Sequence, residues 1–399
     1  MTTATANLTT AVRNHAELAE LVRHGRAERT PLIDYGIAHA GLGHAPPAHH
    51  TKLTQQADPS NGGILEHYIR DLTVRAAAGI TIGDLQRALA PHNQFAPIDA
   101  DDDITLGEAI HHNTYGPLRA GYGSMRDLLL GLHYIDGEGR DVHVGGRTVK
   151  NVAGYDISRF MVGSLGELGI VHEATFRTYA IPEHVLAVEL TMSDPAALDD
   201  HGTGLLLSDA KPTHLSYAVR PGGDGGWTVQ LAYFGRVTGC QVQLKALERF
   251  IASMPGVQIT GTRDLTLQAD AAERQSRRNW QRNATALVKI IVPPASTGDV
   301  VKKLMGRQAG IGVIHFDALP LHGCIFAGGK LGANAAIELD GVLATIVGSA
   351  GGLRVWHNRP VGAESIDPFG PPQPDHAILL KLKRTMDPHT VFNPGRLLR

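Results

Sequence analysis

At 399 residues the chain is long enough for two domains, each with its own core. Apolar residues at 43% and charged residues at 19% are ordinary for a globular protein, and 37 Lys+Arg against 39 Asp+Glu leave no net charge to draw it to nucleic acid or an anionic membrane. Two cysteines, Cys240 and Cys324, are too few for a disulfide framework or an iron–sulfur cluster held by four thiolates, so a reducing, cytoplasmic setting is the default. Met1 to Thr10 has no basic start and no apolar run, which predicts no signal peptide. No apolar segment approaches the roughly eighteen residues of a membrane helix.

Residues 11–24 predict an amphipathic helix, with Leu18, Leu21 and Val22 at helical spacing. Leu32 to Tyr35 predicts a short strand, and the glycine-rich run from Gly36 to Pro47 a loop that its two prolines keep irregular. A glycine turn after a strand is where backbone N–H groups can converge on a phosphate, although a plain surface turn reads the same way. Asp71 to Val74 predicts a strand, and Thr81 with Asp84 caps a helix through Leu89. Ile104 to Glu108 and the turn Gly121 to Asp127 follow, so rich in glycine that the backbone either wraps a ligand or forms a long packed loop. Leu129 to Ile135 and Arg140 to Val144 predict a hairpin through Asp136-Gly137-Glu138-Gly139.

The stretch from Lys150 to Ile170 is the most distinctive. Asp156 caps a short helix with Ile157, Phe160 and Met161 on one apolar face, after which Gly163, Gly166 and Gly169 recur every third residue and let the backbone lie flat against a neighbour. Ala174, Phe176 and Thr178 then alternate with Glu173, Thr175 and Arg177 as a half-buried strand, and Pro182 marks the domain boundary. Beyond it, strands are predicted near 184–193, 213–220, 227–234, 256–260, 286–293, 311–318, 323–328 and 353–357, and helices near 238–254, 297–308 and 334–349. Helices on an antiparallel sheet make a ferredoxin-like α+β domain. Twenty-one histidines, with pairs at His49-His50 and His111-His112, show no metal-binding spacing, so solvated or hydrogen-bonded histidines and no metal are expected.

Lys-Asn-Val-Ala-Gly-Tyr-Asp at 150–156, followed by Gly-Ser-Leu-Gly-x-Leu-Gly-Ile at 163–170, resembles the signature of the FAD-binding subunit of glycolate oxidase, among the vanillyl-alcohol-oxidase-like, PCMH-type flavoproteins. The segments 31–47 and Thr105 to Asp127, Gly145-Gly146, and the ending Asp387-Pro388 with Asn393-Pro394-Gly395-Arg396 extend the likeness. The resemblance implies an α+β fold: a PCMH-type domain of two α+β subdomains over 1–183, a ferredoxin-like cap over 184–370, and a tail at 371–399 returning to the first domain. It implies FAD contacts at Gly36, Ile37, Ala38, His39 and Ala40, at Thr105, Leu106 and Gly107, at Gly123, Ser124, Arg126 and Asp127, and at Ser164, Gly166, Gly169 and Ile170. His39 stands where many relatives attach FAD covalently.

Two departures qualify the likeness. The first loop reads Gly-Ile-Ala-His-Ala where Gly-Gly-Gly-Thr-Ser is usual, and Glu108 replaces the second glycine of the other loop. A carboxylate about 4 Å from a pyrophosphate charge, at an effective dielectric near 20, costs roughly 4 kcal/mol, unless Glu108 faces solvent or pairs with a cation such as Arg119. The family's His-x-Gly-Asp-Gly-Asn-x-His cap motif is absent, which argues for the partner subunit of the complex and against the one that oxidises glycolate by itself. The catalytic base stays unassigned, with His315, His322 and His357 candidates only by residue type. Arg277, Arg278 and Lys289 are candidate carboxylate clamps, a role that a solvated helix face explains equally for the arginines. The implied function is a FAD-linked subunit oxidising glycolate or D-lactate beside a second flavin subunit and an iron–sulfur subunit, cytoplasmic and reaching the inner membrane only through partners. The competing reading is a cofactor-free interaction subunit of the same assembly.

Overall fold

The computed structural model describes residues 9–34, 43, 50–58, 62–146, 157–219, 227–307, 311–312 and 314–398. The chain divides into two compact units: one of residues 1–116, 123–181 and 372–399, the other of 117–122 and 182–371.

In the first unit, β1 (Thr9–Val12), α1 (His15–Ala27), β2 (Leu32–Asp34) and β3 (Thr51–Gln55) build a parallel sheet in the order β1-β3-β2. The predicted helix at 11–24 therefore starts later. Asn14 accepts the Glu17 N–H and sets its first turn, while residues 11 and 12 belong to β1. Leu18, Ala19 and Val22 of α1 pack on Leu32, Leu53, Ile135 and Phe392.

β4 (Ile64–Tyr68), β5 (Thr73–Ala77), α2 (Ile82–Leu89), β6 (Gln94–Phe95), α3 (Leu106–His111), α4 (Arg119–Tyr122), α5 (Met125–Leu128), β7 (Leu129–Ile135), β8 (Asp141–Gly145), α6 (Ser158–Met161), β9 (Ile170–Arg177) and β10 (Tyr179–Ala180) follow, α4 lying in the second unit. The five-stranded antiparallel sheet runs β4-β5-β9-β7-β8. Its inner face, with Val74, Ala76, Leu132, Ala174 and Phe176, shares a core with α2, α3, α5 and α6. Of the apolar face expected at 157–161, Met161 is buried but Phe160 is 48% exposed, and the capping residue Asp156 lies outside the described residues.

The second unit contains β11 (His184–Met192), α7 (Ala197–Leu207), β12 (His214–Val219), β13 (Trp227–Gly235), α8 (Val237–Ile251), β14 (Val257–Leu265), α9 (Leu267–Arg282), β15 (Ala286–Ile291), α10 (Thr297–Met305), β16 (His315–Leu319), β17 (Cys324–Gly329), α11 (Ala333–Ser349) and β18 (Leu353–Asn358). Among the described residues its sheet has eight strands, all neighbours antiparallel, in the order β14-β11-β13-β12-β16-β17-β15-β18. That order is a repeat. Strands β11 to β14 with α7 and α8 form one βαββαβ motif, strands β15 to β18 with α10 and α11 form a second, and β12 pairs with β16 where they meet. The ferredoxin-like motif thus occurs twice, and α7 and α9 are helices that the sequence pattern did not reveal.

α12 (His376–Met386) and the chain end return to the first unit. Leu32 donates to the Val391 C=O, Asn393 donates to the Leu32 C=O, and the Asn393 side chain accepts the Asp34 N–H and donates to the Leu165 C=O.

Candidate cofactor site

The loop Gly36, Ile37, Ala38, His39 and Ala40 lies outside the described residues. The turn at Thr105, Leu106 and Gly107 is the N-terminus of α3, and each of its donors is already engaged. The Leu106 and Gly107 N–H groups donate to the Ile80 and Ala78 C=O at 2.8 Å, and Ala109 donates to the Thr105 C=O. Glu108 closes a capping box: its carboxylate accepts the Thr105 N–H at 2.6 Å while its own N–H donates to Thr105 Oγ1 at 3.2 Å. Glu108 thus satisfies its own helix. Gly107 is glycine because a Cβ would stand 3.2 Å from that of Ala78. A pyrophosphate needs bare N–H groups, so this turn does not fit one.

Gly123, at φ +85°, leads into a second capping box, in which the Ser124 N–H and hydroxyl donate to Asp127 Oδ2 at 2.8 and 2.7 Å. Arg126 donates to the Arg159 and Val162 C=O groups and ties α5 to the end of α6. Ser124, Arg126 and Asp127 thereby shape the loop around α6.

The segment from Gly163 to Ile170 is clamped to the far end of α3. Gly163 and Leu165 donate to the Ile110 and His111 C=O groups, and a Cβ at Gly169 would stand 2.8 Å from the Tyr134 ring. His111 is fully buried at the centre of this clamp. Its Nε2 accepts the Val171 N–H at 3.3 Å, which places the proton on Nδ1, 3.1 Å from Ser164 Oγ. Burial, with a smaller contribution from His112, pushes its pKa down to about 3, so the ring is neutral. Ser164 Oγ also accepts the Gly166 N–H. Ile170 packs into the core beside α1.

Two buried acceptors in this region, Asn113 Oδ1 and Glu167 Oε2, have no donor among the described residues. Asn113 follows α3 with φ +50°, and its Oδ1 is buried with no donor among the described residues. It fits a ligand N–H such as the flavin ring or adenine presents. Glu167, which the signature carries as a free position, accepts the Leu397 and Leu398 N–H groups through Oε1 and is held above the usual carboxylate range by burial. Lys383, also buried, donates to the Glu167 and Phe392 C=O groups and to Asp387. Sequence reasoning missed both, because Glu167 and its partners Lys383, Leu397 and Leu398 lie more than two hundred positions apart in the chain.

In the second unit, alternation places Asp317, Phe326 and Lys289 side by side across β16, β17 and β15, on the face opposite Phe316, Ala318, Val288 and Ile290 of the core. Asp317 accepts Trp280 Nε1 at 2.6 Å and Gln281 Nε2 at 2.9 Å, both from α9. Burial nonetheless pushes its pKa up to about 6, against the pull of these donors and of Arg278 and Arg277. Burial also lowers Lys289, whose Nζ stands 6.0 Å from the Phe326 ring centroid. His315 stacks on Trp280 at 5.3 Å beside a cavity of about 440 Å³, His357 meets Phe326 edge-on, and His322 sits apart in the turn after β16, its pKa lowered to about 4 by burial and Arg119. Of the three candidate histidines, the fold gathers His315 and His357 on the sheet face of Asp317 and Lys289.

Residues 6–145 match the FAD binding domain family. That stretch is similar to a PCMH-type FAD-binding domain. Glycolate oxidase subunit GlcE of Escherichia coli is 31% identical over 46% of this chain and 52% of its own, so the matched part spans about half the relative's length. The mitochondrial cytochrome-type D-lactate dehydrogenase of Arabidopsis thaliana is 21% identical over 97% of this chain and 72% of its own. An alkyldihydroxyacetonephosphate synthase structure superposes with TM-score 0.70 at 16% identity, over 98% of this chain and 77% of that one, which shows the fold.

Proposed function

We propose that this chain is the FAD-binding subunit of a glycolate oxidase-type complex, acting in the oxidation of a 2-hydroxy acid with electrons passed to an iron–sulfur partner. The observation that supports it most is the family match over residues 6–145, joined to relatives whose names specify glycolate and D-lactate, both 2-hydroxy acids. The partners are inferred from the word "subunit" in the first relative and from a chain with too few cysteines to hold a cluster itself. When bound, FAD would supply the acceptor for the substrate's α-hydride. Asn113 Oδ1 would accept a cofactor N–H, His111 and Ser164 would hold the Gly163 to Ile170 backbone in place, and Lys289 with Arg277 would supply positive charge for a substrate carboxylate.

A cofactor-free interaction subunit is the second reading, favoured by one observation: the Glu108 carboxylate occupies the Thr105 N–H. Visible absorption of the purified full chain separates the two. Flavin bands near one per chain, bleached anaerobically by glycolate or D-lactate in the presence of the partner subunits, support the first. A colourless chain that takes up no added FAD sinks it, and a Glu108→Gln variant that then gains FAD would identify the carboxylate as the cause.

A further inference from the structure

The outer face of the five-stranded sheet carries a polar cluster that the flavin reading does not use. It originates in a bulge of β9: Tyr134 pairs with Val171 and His133 with Glu173, leaving His172 without a partner on β7. His172 and Glu173, neighbours that would otherwise face opposite ways, thereby come together. His172 Nε2 lies 2.8 Å from Asp141 Oδ1 on β8, and its Nδ1 lies 3.8 Å from Glu173 Oε1. An imidazole that donates through Nε2 to a carboxylate presents Nδ1 as a bare lone pair.

The third group comes from α1. His15, its first residue, places its ring 5.6 Å from that of His172, and one ligand atom each of His15, His172 and Glu173 lie within 4.8 Å of one another. All three line a cavity of about 190 Å³ that also takes in Arg13, Gln55 and Asp58. Glu173 keeps Oε2 for Arg75 at 2.7 Å and for His133 at 3.2 Å, so Oε1 is the oxygen turned to His172. A second trio, His133, Asp141 and His143, also clusters, but its members are committed to each other and to Glu173: His143 bonds Asp141 at 3.1 Å and its ring stacks on His133 at 3.7 Å.

We propose that His15, His172 and Glu173 form a binding site for a divalent transition-metal ion of the Zn²⁺ class, with Asp141 positioning His172 from behind. Two imidazoles and a carboxylate suit Zn²⁺ or Co²⁺ and not Mg²⁺ or Ca²⁺, which require oxygen ligands. Metal–ligand bonds of about 2.0–2.2 Å at tetrahedral angles set ligand atoms roughly 3.4 Å apart, a contraction of a few tenths of an ångström from the present Nδ1 to Oε1 distance. Three protein ligands leave a position open to the cavity for water, and the ion would tie the start of α1 to β9. The proposal runs against the expectation of no metal, through residues that share no sequence spacing.

The test is a titration of the chelator-stripped full chain with Co²⁺, followed by Zn²⁺ competition against a chromogenic chelator. One Co²⁺ per chain with visible d–d bands, displaced by Zn²⁺, is expected. His15→Ala should weaken binding at least tenfold without changing the metal-free circular dichroism spectrum, since His15 is exposed. Asp141→Asn should weaken it about 10- to 100-fold, and His143→Ala should leave it unchanged. No Co²⁺ bands in the parent, undiminished affinity in His15→Ala, or loss in His143→Ala alone would each overturn the proposal.

Discussion

His111 shows how one buried side chain sets a pH limit on the first unit. Its folded pKa, about 3, lies below the ordinary 6.5, so the unfolded chain binds the extra proton first. The stability that follows is fully present above about pH 6.5 and is lost as pH falls towards 3, at up to about 1.4 kcal/mol per pH unit. Urea unfolding at pH 7.5 and pH 5 should register that decline. His111→Asn should cost about 1–3 kcal/mol at pH 7.5, because the Val171 N–H and Ser164 lose a matched partner, and should flatten the pH dependence. An unchanged slope in the variant would assign the titration to another group. The sequence displayed this residue only as half of a histidine pair; its neutrality follows from burial, which no local pattern reports.

Among the elements, the C-terminal segment carries a buried polar anchor. Lys383 Nζ donates at 2.6 Å to the Glu167 C=O, at 2.6 Å to Asp387 and at 2.9 Å to the Phe392 C=O, while Asp387 accepts the Val391 and Phe392 N–H groups. Removing the ammonium strands a buried carboxylate, so Lys383→Met should destabilise the first unit by about 3–5 kcal/mol, read by chemical unfolding. A loss below about 1 kcal/mol, typical of an exposed pair, would show that the anchor is not buried in solution. The hairpin β7–β8 was legible from its Asp-Gly-Glu-Gly turn and α2 from Thr81 with Asp84, because both signals are local. α9 was not: its buried positions include Asp270 and Arg274, paired with each other at 2.8 Å and with His214, so no apolar stripe announces it. In α7, Gly202 and Gly204 suppress helix propensity, and packing against the sheet overrides it.

For the whole molecule, the flavin reading carries a thermodynamic consequence that colour alone does not test. A ligand that binds only the folded chain stabilises it by about 2.7 kcal/mol at one hundred times its dissociation constant. Added FAD should therefore raise the melting temperature of the apoprotein in a concentration-dependent way, whereas riboflavin, lacking the pyrophosphate, should act more weakly. Equal shifts with both would place the binding energy on the ring alone, in keeping with an α3 turn whose N–H groups are all engaged.

What the sequence determined by itself was a family resemblance and the rhythm of the fold. The string from Lys150 to Ile170, the segment order and the Asn-Pro-Gly-Arg ending are covalent facts, and the strand and helix periods after Pro182 sufficed for a ferredoxin-like assignment. Tertiary structure alone decided that this motif occurs twice, that Glu108 serves its own helix, that Asn113 keeps an unmet acceptor, and that a bulge brings His172 and Glu173 to His15. The physical reason is common to all four. Strand order, hydrogen-bond commitment and burial are properties of groups brought together from distant positions, and a one-dimensional pattern carries only the periods that neighbours impose on one another.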